Sequence, residues 1–218
     1  AKKARASTTP GYHNALKKHF GGLQPHQVTQ AFINSYREKR SGSPGSLREE
    51  LMELKTTFRM AVQEGFTEKA PRIDLPAKSP PKDQFLTREQ GQSLLNAARP
   101  THLRIYLLIA MTTGARKGAI LGLTWDRVDL QRGRLDFTDP ERALTNKRRT
   151  VVPIKSGTIA ALRMAMEMAQ TPYVIEYMGR PIKNIRRAFN EAAEKAGISW
   201  ATPHTLKHSV ISWLAEDN

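Results

Sequence analysis

The 218-residue sequence contains no cysteine, which excludes disulfide bonds and thiolate metal sites. It also lacks a long apolar run. The longest strictly apolar stretch, 105–111, is far shorter than the about 20 residues that a membrane-spanning helix needs. The basic N-terminus is not followed by the apolar segment of a signal peptide. These absences exclude a disulfide framework and a spanning helix within these residues.

Acidic residues are scarce beside basic ones. The sequence has 20 Asp and Glu against 35 Lys and Arg, a net charge of +15. Residues 1–82 carry a net charge of +8 and residues 83–218 carry +7, so both halves are basic. A single basic tail would place the excess positive charge at one end of the chain only. The distribution predicts a polyanionic partner bound by both halves, although charge alone leaves open a soluble basic protein without such a partner.

A proline-rich stretch divides the sequence. Pro76, Pro80 and Pro81 cannot continue a helix or a central strand. We therefore predict a linker at 76–85, a first domain at 1–75 and a second domain at 86–218.

The first domain has helical periodicity. Val28, Phe32 and Tyr36 recur every four residues, after a helix start near Pro25. The stretch 46–49 has the pattern of a capping box, and apolar residues behind it follow one helix face. This domain is predicted to be a helical bundle.

The second domain mixes helices with short strands. The stretch 87–90 is a capping box, and Gly114 ends a later apolar helix. The stretches 134–138 and 149–154 are predicted to pair as strands. Further helices are predicted at 115–121, 159–168 and 182–196 and from Pro203 onward. The fold class is therefore mainly α with a small antiparallel β-sheet.

A cluster of cationic residues begins the last predicted helix. His204, Lys207 and His208 stand at i, i+3 and i+4 on one face of its first turns. Free N–H groups and the helix dipole already favour an anion there, so these residues suit a phosphate. The alternative is a polar helix surface. A zinc site is poorly supported, because Thr205 stands where the metalloprotease pattern needs Glu.

Two further basic features come earlier. Arg116 follows the Thr-Thr-Gly break after an apolar helix, and its guanidinium can fork two donors onto a phosphate. Lys147, Arg148 and Arg149 form a basic turn that leads into a predicted strand. A partly desolvated lysine there could protonate a leaving oxygen. The alternative is a solvated run of charge or simple phosphate contacts.

The order of these motifs over nearly the whole chain resembles the tyrosine recombinase (phage integrase) family. Arg116 matches the family's first catalytic arginine, and Lys147 matches its hairpin lysine. His204-x-x-Lys207-His208 matches its His-x-x-Arg-His box. The resemblance implies a helical SAM-like core-binding domain that clamps DNA, followed by a mixed α+β catalytic domain.

The resemblance also implies an activity. Such enzymes are site-specific DNA recombinases of phages or mobile elements. They cut and rejoin DNA strands through a 3′-phosphotyrosine intermediate, without a metal or cofactor. Arg116 and Lys207 would then stabilise charge on the non-bridging phosphate oxygens. His204 would hydrogen-bond a phosphate oxygen or assist proton transfer, and Lys147 would protonate the 5′-oxygen leaving group. Arg148 or Arg149 could take the place of Lys147, because the hairpin varies in length.

Partners and location follow from the same resemblance. We expect double-stranded DNA attachment sites, a homotetramer on DNA, and accessory DNA-bending or directionality proteins, with no membrane partner. The expected location is the bacterial cytoplasm, in association with the nucleoid. The residues predicted to contact DNA, for each of which a solvated surface is the alternative, are Arg148, Arg149, His208, Lys17, Lys18, Arg37, Arg40, Arg59 and Arg187.

The sequence departs from the family pattern in three ways. Lys207 replaces the second arginine and cannot form its bidentate fork. Ala119 stands where a carboxylate is usual. No tyrosine follows His208, so we expect a fragment that binds DNA without cleaving it. One alternative is a catalytically degenerate DNA-binding protein on the same fold. An unrelated basic nucleic-acid-binding protein would leave the ordered motifs unexplained.

Overall fold

The computed structural model of the chain describes residues 10–78, 84–138 and 151–216. It divides into two compact units, 1–82 and 83–218, here called the N-terminal and C-terminal units. The predicted linker at 76–85 spans this division. The roles assigned to the two predicted domains stay predictions.

The described part of the N-terminal unit is helical. Its helices are α1 (Pro10–Phe20), α2 (Gln30–Lys39) and α3 (Pro44–Gln63). They enclose an apolar core that includes Leu16, Phe20, Ile33, Leu51 and Phe58. Tyr36 and Glu50 are also buried there. The unit has its own hydrophobic core, as a domain requires.

Two helix starts in this unit differ from the predictions. The cap of α3 is Ser43, whose Oγ accepts a hydrogen bond of 3.2 Å from the Ser46 N–H. The predicted capping box at 46–49 was therefore three residues too late, because Pro44 is preorganised for the first helical position. Pro25 begins only a 3-10 turn, and α2 begins after the cap residue Thr29.

The C-terminal unit combines helices with two small sheets. Its helices are α4 (Arg88–Ala97), α5 (Thr101–Thr113), α6 (Lys117–Leu121), α7 (Ser156–Glu167), α8 (Arg186–Lys195) and α9 (Pro203–Glu216). Its strands are β1 (Val128–Asp129), β2 (Arg134–Asp136), β3 (Val151–Pro153), β4 (Glu176–Tyr177) and β5 (Arg180–Pro181). The first three strands form an antiparallel sheet in the order β1-β2-β3, and β4 pairs with β5. The predicted fold class, mainly α with a small antiparallel sheet, is confirmed.

Most predicted elements of this unit are present. Thr87 and Gln90 form the predicted capping box at the start of α4. The predicted strand pair is confirmed, with Leu135 opposite Val152 in the register of β2 and β3. The predicted helix at 182–196 was wrong at its start: Ile182 follows the β4–β5 hairpin, and α8 begins at Arg186. None of the helices in the described ranges is long and apolar enough to cross a membrane.

Candidate active site

A glycine turn positions Arg116. Helix α5 ends at Gly114, which has a left-handed backbone with φ of 61°. Thr113 Oγ1 donates to the Ile109 carbonyl at 2.7 Å and accepts from the Ala115 N–H at 3.2 Å. Arg116 is then the N-cap residue of α6, and its side chain is exposed. The chain therefore leaves a buried helix and turns outward at the arginine.

Helix α9 presents its cationic residues on the face opposite the core. Leu206, Ser209 and Val210 are buried. His204 and His208 are exposed and Lys207 is half-buried. The periodicity of the helix thus separates the packing residues from the charged ones.

Reciprocal hydrogen bonds fix the start of α9. Thr202 Oγ1 accepts from the Thr205 N–H at 3.3 Å, and Thr205 Oγ1 accepts from the Thr202 N–H at 3.0 Å. This arrangement satisfies two backbone donors at the helix start, as a capping box does. His204 lies between these two threonines and is held in the first turn.

The two motifs come together where α5 packs against α9. A Cβ atom added to Gly114 would lie 3.3 Å from Val210 Cγ1, so the glycine permits a close approach between the turn and the helix. The approach brings the turn that carries Arg116 to the helix that carries His204. Residues 88 positions apart in sequence thereby share one site.

Positive charge converges on the His204 imidazole. Desolvation by surrounding protein is the largest cause that lowers the pKa of His204 below its ordinary value. The charges of His208, Lys207 and Arg116 lower this pKa further. The lowered pKa favours the neutral form of His204, which can donate or accept a hydrogen bond without adding to the local charge. A phosphate would find cations and a neutral imidazole together here.

The two histidines of α9 contact each other. His204 Nε2 and His208 Nε2 are 3.0 Å apart, a hydrogen-bond distance. Their ring centroids are 4.5 Å apart and the ring planes are nearly perpendicular, at 86°. One of the two nitrogens must be the donor and the other the acceptor. The prediction that His208 contacts DNA directly stays a prediction.

The basic turn lies outside the described residues, and so do Lys147, Arg148 and Arg149. The structure describes the strand before it and the strand after it. Arg127 holds the first of these in place. Its Nη1 donates to the Thr138 carbonyl at 3.0 Å, its Nε donates to Thr124 Oγ1 at 3.0 Å, and its Nη2 donates to the Gly122 carbonyl. Sequence reasoning missed this anchor, because a single arginine carries no pattern.

Basic residues predicted to contact DNA also lie in the N-terminal unit. Lys17, Lys18 and Arg59 are exposed and Arg37 is half-buried. Lys18 and Arg40 line a cavity of about 360 Å³ that is also lined by His19 and Lys39, neither of which was predicted. The charge run at 37–40 is the sequence signal for Lys39. No comparable signal marks His19.

Arg40 and Arg187 already have acidic partners. Arg40 donates to Glu50 from Nε at 2.9 Å and from Nη2 at 2.6 Å, so its guanidinium is committed to the protein interior. Arg187 forms an exposed ion pair of 3.1 Å with Glu191 one turn away. An exposed pair of this kind is weak, and a phosphate can compete for Arg187 more readily than for Arg40.

Three of the described tyrosines do not resemble nucleophiles. Tyr106 is buried, and burial raises the pKa of its hydroxyl. Tyr36 is buried and donates to Glu50. Tyr177 is exposed but stacks edge-on against His102, with ring centroids 5.2 Å apart. Among the described residues no group of three or more His, Asp or Glu is placed to hold a metal ion.

Known proteins are similar to this chain in sequence and in fold. Residues 84–218 match the family model described as the phage integrase family. An integrase of Streptomyces ambofaciens is 30% identical over 164 residues, which cover 60% of this chain and 42% of that protein. The shufflon-specific DNA recombinase of Escherichia coli is 27% identical over 205 residues, which cover 87% of this chain and 51% of that protein. This chain therefore spans about half the length of these curated relatives.

The fold agrees with that match. A lambda integrase tetramer bound to a Holliday junction superposes with a TM-score of 0.71 at 21% sequence identity, covering 93% of this chain and 65% of that chain. The family match contains Arg116, Lys207 and both histidines of the site. On the matched residues and on the fold, the chain belongs to the phage integrase family.

Proposed function

We propose that this chain is the DNA-binding and transition-state-stabilising part of a site-specific DNA recombinase. The enzyme cuts and rejoins strands through a 3′-phosphotyrosine intermediate. One observation carries the proposal: the packing of α5 against α9 brings Arg116 to the helix face of His204 and Lys207, in a unit of the phage integrase family. Phosphoryl transfer depends mainly on positioning and charge stabilisation, which this cluster supplies.

Each residue of the cluster has a proposed role. Arg116 and Lys207 bind the non-bridging oxygens of the scissile phosphate, where negative charge develops in the transition state. His204 hydrogen-bonds one of these oxygens. Lys147 protonates the 5′-oxygen as it leaves, with Arg148 or Arg149 as the alternative donor. Tyr36, Tyr106 and Tyr177 are not proposed as the attacking tyrosine.

The N-terminal unit supplies the proposed grip on the duplex. Lys18 and Lys39 line one polar cavity with His19, which suits a backbone phosphate. Lys17, Arg37 and Arg59 add charge to the same unit. Such contacts position a protein on DNA without reading its sequence. Arg40 contributes less than its charge suggests, because Glu50 occupies its donors.

The proposed partner is a double-stranded DNA attachment site, bound by a homotetramer. The lambda integrase tetramer on a Holliday junction supports this choice by fold similarity. Accessory DNA-bending or directionality proteins and an association with the bacterial nucleoid belong to the same proposal. The ionic contacts predict that binding weakens steeply as salt concentration rises.

Covalent capture tests the proposal. A pool of nicked duplexes with randomised core sequences is offered to the full-length gene product and, separately, to the 218-residue chain. Protein–DNA adducts are isolated under denaturing conditions and the bound duplexes are sequenced. We expect adducts with a common core sequence from the full-length product and none from the 218 residues.

The matched control is Arg116→Ala in the full-length product. It should retain salt-dependent DNA binding and lose about 10²–10³ in the adduct rate, the typical cost of one transition-state donor. Tight DNA binding without adducts from any protein would instead favour a catalytically degenerate DNA-binding protein on this fold.

A further inference from the structure

The contact between His204 and His208 determines which ring nitrogen of His204 carries its hydrogen. A neutral imidazole has one N–H donor and one bare acceptor nitrogen. Because the two Nε2 atoms are 3.0 Å apart, His204 Nε2 is either the donor or the acceptor of this bond. The nitrogen left over, Nδ1, then has the opposite character. A phosphate oxygen needs a donor, whereas a hydroxyl that loses its proton needs an acceptor.

The proposed function decides between the two arrangements. In the described part of the chain, the charged groups that act on the His204 ring are His208 and Lys207 on α9 and Arg116 at the start of α6. These cations mark the proposed place of a phosphate oxygen, and such an oxygen needs an N–H donor from His204. Because His208 occupies His204 Nε2, that donor is the Nδ1–H, and His204 Nε2 is the acceptor of the bond between the rings.

We infer that His208 is a positioning residue: its Nε2–H donates to His204 Nε2 and fixes His204 as the Nδ1–H tautomer. His204 then presents an N–H donor on the nitrogen that His208 does not occupy. This inference rests on the proposed function, which places a phosphate oxygen beside the ring. In strand cleavage, His204 Nδ1–H hydrogen-bonds a non-bridging phosphate oxygen and keeps its proton. His204 is then not the base that accepts the tyrosine proton.

Long-range ¹H–¹⁵N spectra of the 218-residue chain labelled at histidine test this inference. We expect His204 with a protonated Nδ1 and a bare Nε2. His208→Gln places an amide N–H where Nε2–H stood and should keep the tautomer. His208→Leu removes the donor and should move His204 towards the Nε2–H form. A protonated Nε2 on His204 in the unmodified chain would overturn the inference without any variant.

Cleavage by the full-length gene product separates this inference from the proposed function. If the inference holds, His208→Leu slows adduct formation and His208→Gln restores most of the rate. If no adduct forms with any protein while the spectra show the Nδ1–H tautomer, the proposed function fails and the assignment of the pair stands. Equal adduct rates for both variants would exclude the positioning role.

Discussion

Tyr36 donates its phenolic hydrogen to Glu50 across 2.7 Å inside the N-terminal unit. Glu50 is fully buried and also accepts from Arg40, whose side chain is 25% exposed. A carboxylate without solvent is tolerated when such donors surround it. The three residues join α2 to α3.

Removal of the buried carboxylate should loosen this unit. Glu50→Ala leaves Arg40 without its partner and opens a cavity. The free energy of unfolding of the N-terminal unit should fall by about 3 kcal/mol, the lower end for a broken buried pair, because Arg40 is partly solvated. Hydrogen exchange of peptides from α2 and α3, followed by mass spectrometry, measures the change. Glu49→Ala, at the exposed neighbouring position, is the control. Equal exchange in the two variants would contradict the prediction.

Alkaline pH should act on the same contact. Burial, with the hydrogen bond to Glu50, raises the pKa of Tyr36 from 10.0 to about 12. The folded state therefore holds this proton more tightly than the unfolded state does. The contribution of this proton to the free energy of unfolding is complete below pH 10, and it is lost as the pH rises towards 12. Denaturation monitored by circular dichroism should show a steeper fall in stability across this window for the unmodified chain than for Tyr36→Phe. Parallel curves would show that Tyr36 does not titrate there.

A serine in α9 satisfies a distant backbone group. Ser209 is fully buried, and its Oγ accepts from the Leu86 N–H at 2.8 Å. Ser209→Ala leaves that donor unpaired, which should lower the free energy of unfolding by about 1–3 kcal/mol. Urea unfolding followed by tryptophan fluorescence reports the change, because all three tryptophans lie in the C-terminal unit. Ser212→Ala, which removes only a hydroxyl bonded within α9, should have little effect.

Gly91 in α4 leaves room for the ring of Trp213. A Cβ added to Gly91 would lie 2.9 Å from Trp213 Cη2, so the ring would have to move. Gly91→Ala should lower the free energy of unfolding by about 1–2 kcal/mol despite its better helix propensity. Gly157→Ala, in α7 with nothing within 4 Å, should leave stability unchanged or slightly higher. If both alanines stabilise the chain equally, Gly91 is not needed for the packing of Trp213.

Lys207 offers a gain-of-function test of the proposed chemistry. Lysine provides a point charge, whereas arginine can bind two phosphate oxygens at once. Lys207→Arg should speed adduct formation by the full-length product, by up to about 10²–10³, and Lys207→Ala should slow it. Lys195→Arg, at the exposed end of α8, is the matched control. A slower Lys207→Arg enzyme would mean that the surrounding site is built for lysine.

Strong local signals were predictable from the sequence. The capping box at Thr87 and the break at Gly114 depend on neighbouring residues alone, and both are confirmed. The β4–β5 hairpin was missed because each strand has only two residues and offers no alternation to detect. The helix predicted at 182–196 began too early because Ile182 fits the helical period by chance, whereas α8 begins at Arg186.

The sequence predicted which residues belong to the site, but it did not predict how they are arranged in space. The spacing of His204, Lys207 and His208 indicated one helix face. The approach of Gly114 to Val210, the facing Nε2 atoms and the Arg127 anchor depend on tertiary packing. Ser209 resembled any helical serine until the structure showed its hydrogen bond to Leu86.

The hydrogen bond between Leu86 and Ser209 joins residues 123 positions apart, and Trp213 Nε1 donates to the Leu86 carbonyl as well. A ribosome adds about 5–20 residues per second, so on the order of ten seconds separate the synthesis of Leu86 from that of its partners. During that interval both polar groups of Leu86 lack their native partners. The cationic cluster has no histidines until the same helix emerges. The packing contacts of α9 and the cationic cluster therefore form in a single event in the growing chain.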